Sequence, residues 1–328
     1  MKLGLYATAG AGLALAIAII VYSGVAAVAG KLVDVGWGLV AVSLFHLVPL
    51  VFSAAAWRVA TAAEWPGSFA VHYWARLVRE AVNDLLPAAH IGGFVLSARA
   101  LTQHGAPAAL AGAGVAVDVT MEVLSQFAFT VLGFALIVLD GGDHDTVRWA
   151  GVGMLVMAPA LTGFVLAQRW GGLKLLEKLF DRLAGWLNWQ ALGSLATLHD
   201  TAHRLYARRR VVGLSFVLHF LCWAVGTGEV WLALRFMGHE ISWTDAFILE
   251  SLGQAVRSAA FVVPGALGVQ EGGYVLLGAA LGLGPETSLA LSLAKRVREA
   301  ALGVPTLIAW QFVEGRRLWA SLGRKRAD

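Results

Sequence analysis

The chain holds a single cysteine, Cys222, in 328 residues. No intrachain disulfide and no cysteine-based metal cluster can form from it. Charge is scarce as well: 14% of residues are charged, against about 25% in soluble domains. No stretch outside the apolar runs is long enough to build a soluble core. Recognised chemical motifs are missing too. There is no Gly-rich phosphate loop ending in Lys, no Gly-x-Ser-x-Gly elbow and no Asp-rich magnesium motif. These absences argue against soluble enzymes and nucleotide-driven pumps, and no cofactor, metal or nucleic-acid partner is expected.

What is present is hydrophobic. Apolar residues make up 58% of the chain and the mean hydropathy is +0.70. Thirteen tryptophans suit interfacial anchoring, and 38 glycines suit close helix contacts in a bilayer. The composition is that of an all-α integral membrane protein.

Taken in order, Leu3–Ala29 is a first apolar run, too long for a signal peptide core, and Trp37–Trp57 a second, with Pro49 as a kink. Phe69–Leu86 differs: His72, Arg76, Arg79, Glu80 and Asn83 share one helical face. Pro87 ends it, and Ile91–Leu101 is too short to span. The two read as a hairpin that enters the membrane and returns. Pro107–Leu139 is long and apolar but carries Asp118, Glu122 and Gln126 in one stripe. Val147–Gln168 spans again, after a loop containing Asp140, Asp143 and Asp145. Residues 169–210 form a basic amphipathic connector, expected on the cytoplasmic surface against anionic lipid. Val211–Leu234 spans, Trp243–Val263 repeats the amphipathic pattern, Tyr274–Leu283 is short, and Pro285–Trp310 carries Lys295, Arg296, Arg298 and Glu299.

The positive-inside rule puts the connector and the basic tail in the cytoplasm, and the Asp140–Asp145 loop outside. About six spanning helices and two re-entrant hairpins satisfy this, with both termini cytoplasmic. Repeat 1 (37–139) and repeat 2 (211–310) then share one order in opposite orientation, an inverted repeat of the kind found in secondary transporters.

The stretch most at odds with its surroundings is Val263–Gly273, with Pro264, Gly265, Gly268 and Glu271 between two apolar runs. Proline and glycine oppose a regular helix there, and non-helical backbone at membrane depth belongs beside a wet cavity or inside protein. Ionisable groups in a span are costly, at about 2.5–3.5 kcal/mol on insertion scales. The expected polar path is therefore Arg76, Arg79, Asn83, Asp118, Glu122, Arg257, Pro264, Gly265, Gly268, Glu271, Lys295, Arg296, Arg298 and Glu299. The alternative is that the charges pair between repeats and merely lock helices. Arginines at 76, 79, 99 and 257 favour an anionic group such as phosphate, through their planar fork of donors. Arg99, near a segment end, also suits snorkelling to lipid headgroups. The acids Asp118 and Glu122 are expected to face Arg296 and Arg298 of the other repeat. His199 and His203, at i and i+4, lack a third ligand and read as part of a solvated basic helix.

Asn83-Asp84-Leu85-Leu86-Pro87, Asp118–Glu122 and the Pro-Gly-x-x-Gly-x-x-Glu run ending at Glu271 resemble the flippase-like family that includes the membrane part of lysylphosphatidylglycerol synthase. The run Gln270–Tyr274 with Lys295–Glu299 is similar to its hopanoid-biosynthesis-associated branch. The first repeat departs from the family: Pro87 is followed by Ala88, Ala89, His90, Ile91, Gly92 and Gly93, without the usual basic and acidic pair. The resemblance implies a bacterial inner-membrane lipid translocase, moving a hopanoid or associated lipid and working beside lipid-biosynthesis enzymes. An intramembrane lipid-modifying enzyme and a non-catalytic scaffold are the alternatives. The orientation is testable: a reporter fused after His104 should read cytoplasmic and one after Gly284 external. A cytoplasmic Gly284 would remove the inverted repeat.

Overall fold

The computed structural model describes residues 25–86, 91–139, 195–260 and 263–324. Within these residues every regular element is a helix. The helices are α1 (Val25–Val35), α2 (Gly38–Thr61), α3 (Phe69–Leu85), α4 (Ile91–Thr102) and α5 (Ala108–Leu139), then α6 (Leu195–Ala207), α7 (Arg209–Phe236), α8 (Trp243–Ala259), α9 (Val269–Ala280) and α10 (Pro285–Arg324). The expected spans Val147–Gln168 and most of Leu3–Ala29, the Asp140–Asp145 loop and connector residues 169–194 lie outside the described residues.

Eight helices fall into two sets of four. Each set runs long helix, 17-residue helix, 12-residue helix, long helix: α2 to α5, then α7 to α10. The matching helices start alike. Ser68 and Ser242 are extended N-caps (φ −66°, ψ 153° and φ −67°, ψ 157°), and their hydroxyls accept from the Val71 and Asp245 amides. Such a cap satisfies one of the orphan donors of the first turn.

The sets interlock reciprocally. The long helices α2 and α7 pack along each other, α3 lies on α10, and α8 lies on α5. The α2–α7 seam is itself reciprocal. A Cβ added to Gly228 of α7 would meet Phe45 of α2 at 2.5 Å, and one added to Gly38 of α2 would meet Phe236 of α7 at 2.4 Å. Absent side chains at these two positions let a phenylalanine ring lie on the opposite backbone, the small-residue packing that suits helices in lipid.

By length and composition, α2, α5 and α7 are apolar enough to cross a membrane, with window hydropathies of 2.1, 2.0 and 1.7. No other described helix meets that measure, so the six-span count is not reached among the described residues. α10 is 40 residues long but carries Lys295, Arg296, Arg298 and Glu299 within five positions. Pro49 lies inside α2, which continues through it.

In the described part of the connector, Ala202 and Leu205 of α6 are buried against Ala60, Leu110, Ala113 and Val117. This face of α6 covers α2 and α5. Arg204 turns outward to Glu64 at 3.2 Å.

Overpacking at the α2–α7 seam should be costly. Gly228→Val should destabilise by about 1–3 kcal/mol, read as a lowered midpoint in detergent unfolding. Adding Phe45→Ala should recover part of it, because the two changes share one contact. Strict additivity would show that the seam tolerates the extra carbons elsewhere.

Candidate functional site

Two buried ionic clusters occupy the interior, one built mainly by each set. In the first, Arg76 of α3 grips Glu122 of α5 with both terminal nitrogens, at 2.5 and 3.2 Å. Arg79, one turn on, reaches Asp118 at 2.7 Å and also Glu122. Glu80 pairs with Arg76 at 2.8 Å, and His219 of α7 meets Asp118 at 2.9 Å. Arg76 and Arg79 are each 4% exposed and Asp118 is fully buried. Bidentate guanidinium–carboxylate pairing is what makes such burial tolerable.

In the second cluster, Lys295 of α10 meets Glu250 of α8 at 2.6 Å, and Arg298 meets Glu229 of α7 at 3.2 Å. Tyr274 and Gln254 donate to the Glu250 carboxylate. His46 of α2 joins Glu229 through Nδ1 at 2.8 Å and Arg298 through Nε2 at 3.1 Å. Each cluster thus receives one histidine from the other set: His219 enters the first and His46 the second.

The clusters are also matched by position. Arg76 and Glu250 both lie eight residues after their capping serines; Asp118 and Lys295 both lie ten residues after the first residue of their long helices. At corresponding places the base and the acid have exchanged helices. Glu122 and Glu299, four residues further along, are the same in both.

The expected pairing of Asp118 and Glu122 with Arg296 and Arg298 is therefore corrected. The acids close onto Arg76 and Arg79 of their own set, because α5 and α3 present them at hydrogen-bond range. Arg296 instead meets Glu271 at 3.2 Å and Glu299 at 3.4 Å. Glu299 also receives Arg257 and, at 3.9 Å, Arg298, while Lys295 goes to Glu250. Arg76, Arg79 and Arg257 are all engaged by carboxylates, and Arg99 meets Glu314.

The two hairpins do meet. Arg257, near the end of α8, donates to Asp84, near the end of α3, at 2.8 Å. The broken motif is shorter than the sequence suggests. Pro264–Ala266 form one 3₁₀ turn with Gly265 at φ 62°, Gly268 follows at φ 78°, and α9 begins at Val269. Glycine is needed at both, since a side chain resists positive φ. Glu271 lies inside α9, where its carboxylate accepts from the Gly268 amide at 2.7 Å and takes Arg296. It is a buried cap and ion partner rather than an open ligand. The Asn83 Oδ1 is buried without a partner, close to the Gly93 backbone.

Beside the junction is a cleft with about 270 Å³ of empty space, counting its open mouth. It is lined by the polar His46, Glu80, Asp84, Arg298 and Glu299 and by apolar residues including Leu50, Leu77 and Leu302. Of the expected path residues, Arg298 and Glu299 reach it. Arg76, Arg257 and Arg296 stand behind it as partners of its acids. Arg79, Asp118, Glu122 and Lys295 line no part of it. His46, Glu80, Asp84, His219, Glu229 and Glu250 are site residues that the expected path omitted. The available signal was an ionisable group inside an apolar helix, which itself needs a partner.

An all-helical fold with three helices long and apolar enough to cross a bilayer fits a membrane protein. The family described as lysylphosphatidylglycerol synthase TM region matches residues 10–307, and the chain belongs to it. No curated protein and no solved structure matches the chain.

Within-set pairing makes a sharp expectation. Lys295→Met alone strands Glu250 and should cost about 3–5 kcal/mol, whereas Lys295→Met with Glu250→Leu should recover most of it. Lys295→Met with Asp118→Asn should show no recovery in detergent unfolding. Recovery there would restore the cross-set pairing.

Proposed function

We propose that the protein is a lipid translocase that passes an amphiphile's headgroup along the cleft between its two helix sets. The observation that supports this reading best is the cleft's composition. Carboxylates, a histidine and a guanidinium line one opening together with leucines. An amphiphile needs both surfaces at once, a polar route for its head and an apolar one for its tails. Membership of a membrane-lipid family supports the same reading, as do three helices long and apolar enough to cross a bilayer.

The reading extends to the finer features. The two sets act as an inverted repeat in the bacterial inner membrane, both termini cytoplasmic, with the clusters rocking as blocks about the Arg257–Asp84 tie. The residues that line the route are His46, Glu80, Asp84, Arg298 and Glu299. The other ionic residues hold it open. The substrate is a hopanoid or a lipid made alongside it, as the Gln270–Tyr274 and Lys295–Glu299 runs suggest.

The test is reconstitution into liposomes carrying nitrobenzoxadiazole-labelled lipids of anionic, zwitterionic and hopanoid headgroup type, with dithionite quenching of the outer leaflet. The protein should speed the exchange of at least one label. Glu80→Gln with Asp84→Asn should slow that exchange about tenfold, a rise of about 1.4 kcal/mol in the barrier. Failure of every label to move, with folded protein in the bilayer, would overturn the proposal.

A further inference from the structure

The second cluster does not balance. Its bases are Arg257, Lys295, Arg296 and Arg298, and its carboxylates are Asp84, Glu229, Glu250, Glu271 and Glu299. That is four positive charges against five negative ones if His46 is neutral. The hydrogen-bond pattern around the ring is that of a neutral imidazole. Arg298 Nη1 has only hydrogens to offer and lies 3.1 Å from His46 Nε2, so Nε2 must be the accepting, unprotonated nitrogen. The ring's one proton is then on Nδ1, donated to Glu229 at 2.8 Å. A cluster in low dielectric that is one positive charge short has a place for one more.

We propose that this place is a proton-binding site, His46 Nε2, and that a proton is a co-substrate of the protein. The word co-substrate rests on the translocase reading; the site does not. His46 is 17% exposed on its side chain and lines the cleft, whereas its counterpart His219 is 1% exposed and buried on Asp118. Only one of the two histidines is open to a proton from the cleft.

The step is simple. One proton from water in the cleft adds to the Nε2 lone pair, and no other covalent bond changes. Imidazolium has no acceptor, so its Nε2–H and the Arg298 Nη1–H now oppose each other. Arg298 keeps Glu229 through Nε, at 3.2 Å, and its Nη2 already lies 3.9 Å from Glu299. It therefore turns toward Glu299. The tie between α2 and α10 is lost, while the His46–Glu229 tie between α2 and α7 gains a full charge. Because α2 and α10 both line the cleft and this contact holds them together there, protonation loosens the cleft, and loss of the proton from the same nitrogen closes it.

Every charged or titratable group near His46 belongs in this balance. Glu229 comes from α7, with Lys295 at 4.0 Å from it. Arg298 and Glu299 come from α10, and Glu80 and Asp84 from α3. Tyr73 of α3 donates to the Leu47 carbonyl beside His46, at 2.9 Å. Of these, Glu299 alone both pairs with Arg298, at 3.9 Å, and lines the cleft, and its carboxylate is already held by Arg257 and Arg296.

The experiment needs no identified lipid. In a Cys222→Ser background, Leu302→Cys places a thiol on the α10 side of the cleft, and Glu240→Cys, on the exposed α7–α8 turn, serves as reference. Both are labelled in nanodiscs with an impermeant methanethiosulfonate from about pH 8 to about pH 5.5. Dividing one rate by the other removes the thiol's own ionisation. The ratio should rise about threefold or more as pH falls, and H46Q should abolish the rise. A flat ratio in the parent protein overturns the proposal, as does a rise that survives H46Q. Should H46Q fail to elute as a monodisperse species, H46N serves instead, and the parent ratio alone still decides against the proposal if flat. In liposomes, a labelled lipid that moves at one rate under every imposed pH gradient, with the labelling ratio rising, leaves the proton site standing and removes its coupling. A lipid that never moves removes the translocase reading only.

Discussion

The structure depends on one constraint: an ionised side chain withdrawn from water must be met by its opposite at contact distance, or it is not tolerated. Arg76 and Arg79 are nearly fully buried, and so are Asp118, Lys295 and Glu250. Helix placement follows from this. α3 is held to α5 by Arg76 and Arg79, and α8 is held to α10 by Lys295 and Arg257. The apolar contacts fill in around these ties, as Trp57, Val78 and Leu101 do in one core and Leu234, Leu249 and Tyr274 in another.

The two clusters differ in how far they are closed in. Each holds one more carboxylate than guanidinium and ammonium groups, with a histidine beside it. Asp118 and His219 are sealed in the interior, whereas His46 borders the cleft at the junction of α2, α3 and α10. The Arg257–Asp84 contact, which joins the two hairpins, borders the same space.

Much of this was legible in the sequence, and the rest was hidden for definite reasons. Asp118 and Glu122 recur at helical spacing, as do Arg76 and Arg79, so their shared faces could be read directly. The elements α3, α4, α5 and α8 lie within a few residues of their expected bounds. The partners could not be read, because sign alone does not say which helix packs on which. A base on α10 and an acid on α5 look complementary in a string of letters, yet each has its partner nearer home. The extent of the Pro264–Glu271 break was overstated for a local reason. Gly268 and Glu271 together start a helix, the carboxylate covering the amide that the turn leaves exposed. His46 and His219 were passed over because each is a single polar letter in a long apolar run. Three dimensions show that each belongs to the opposite half's cluster.

The exchange of base and acid between corresponding helices bears on how the chain sorts its own parts. Two halves with the same helix lengths, caps and order could trade members during assembly, α8 settling where α3 belongs. In that arrangement Glu250 would stand in the position of Arg76, against Asp118 and Glu122, and Arg76 would stand against Lys295. Three carboxylates on one side and two cations on the other would meet in the driest part of the molecule. Opposite polarity at positions 76 and 250, and at 118 and 295, thus gives each hairpin an address. The halves can resemble one another closely in shape because they cannot be mistaken for one another in charge.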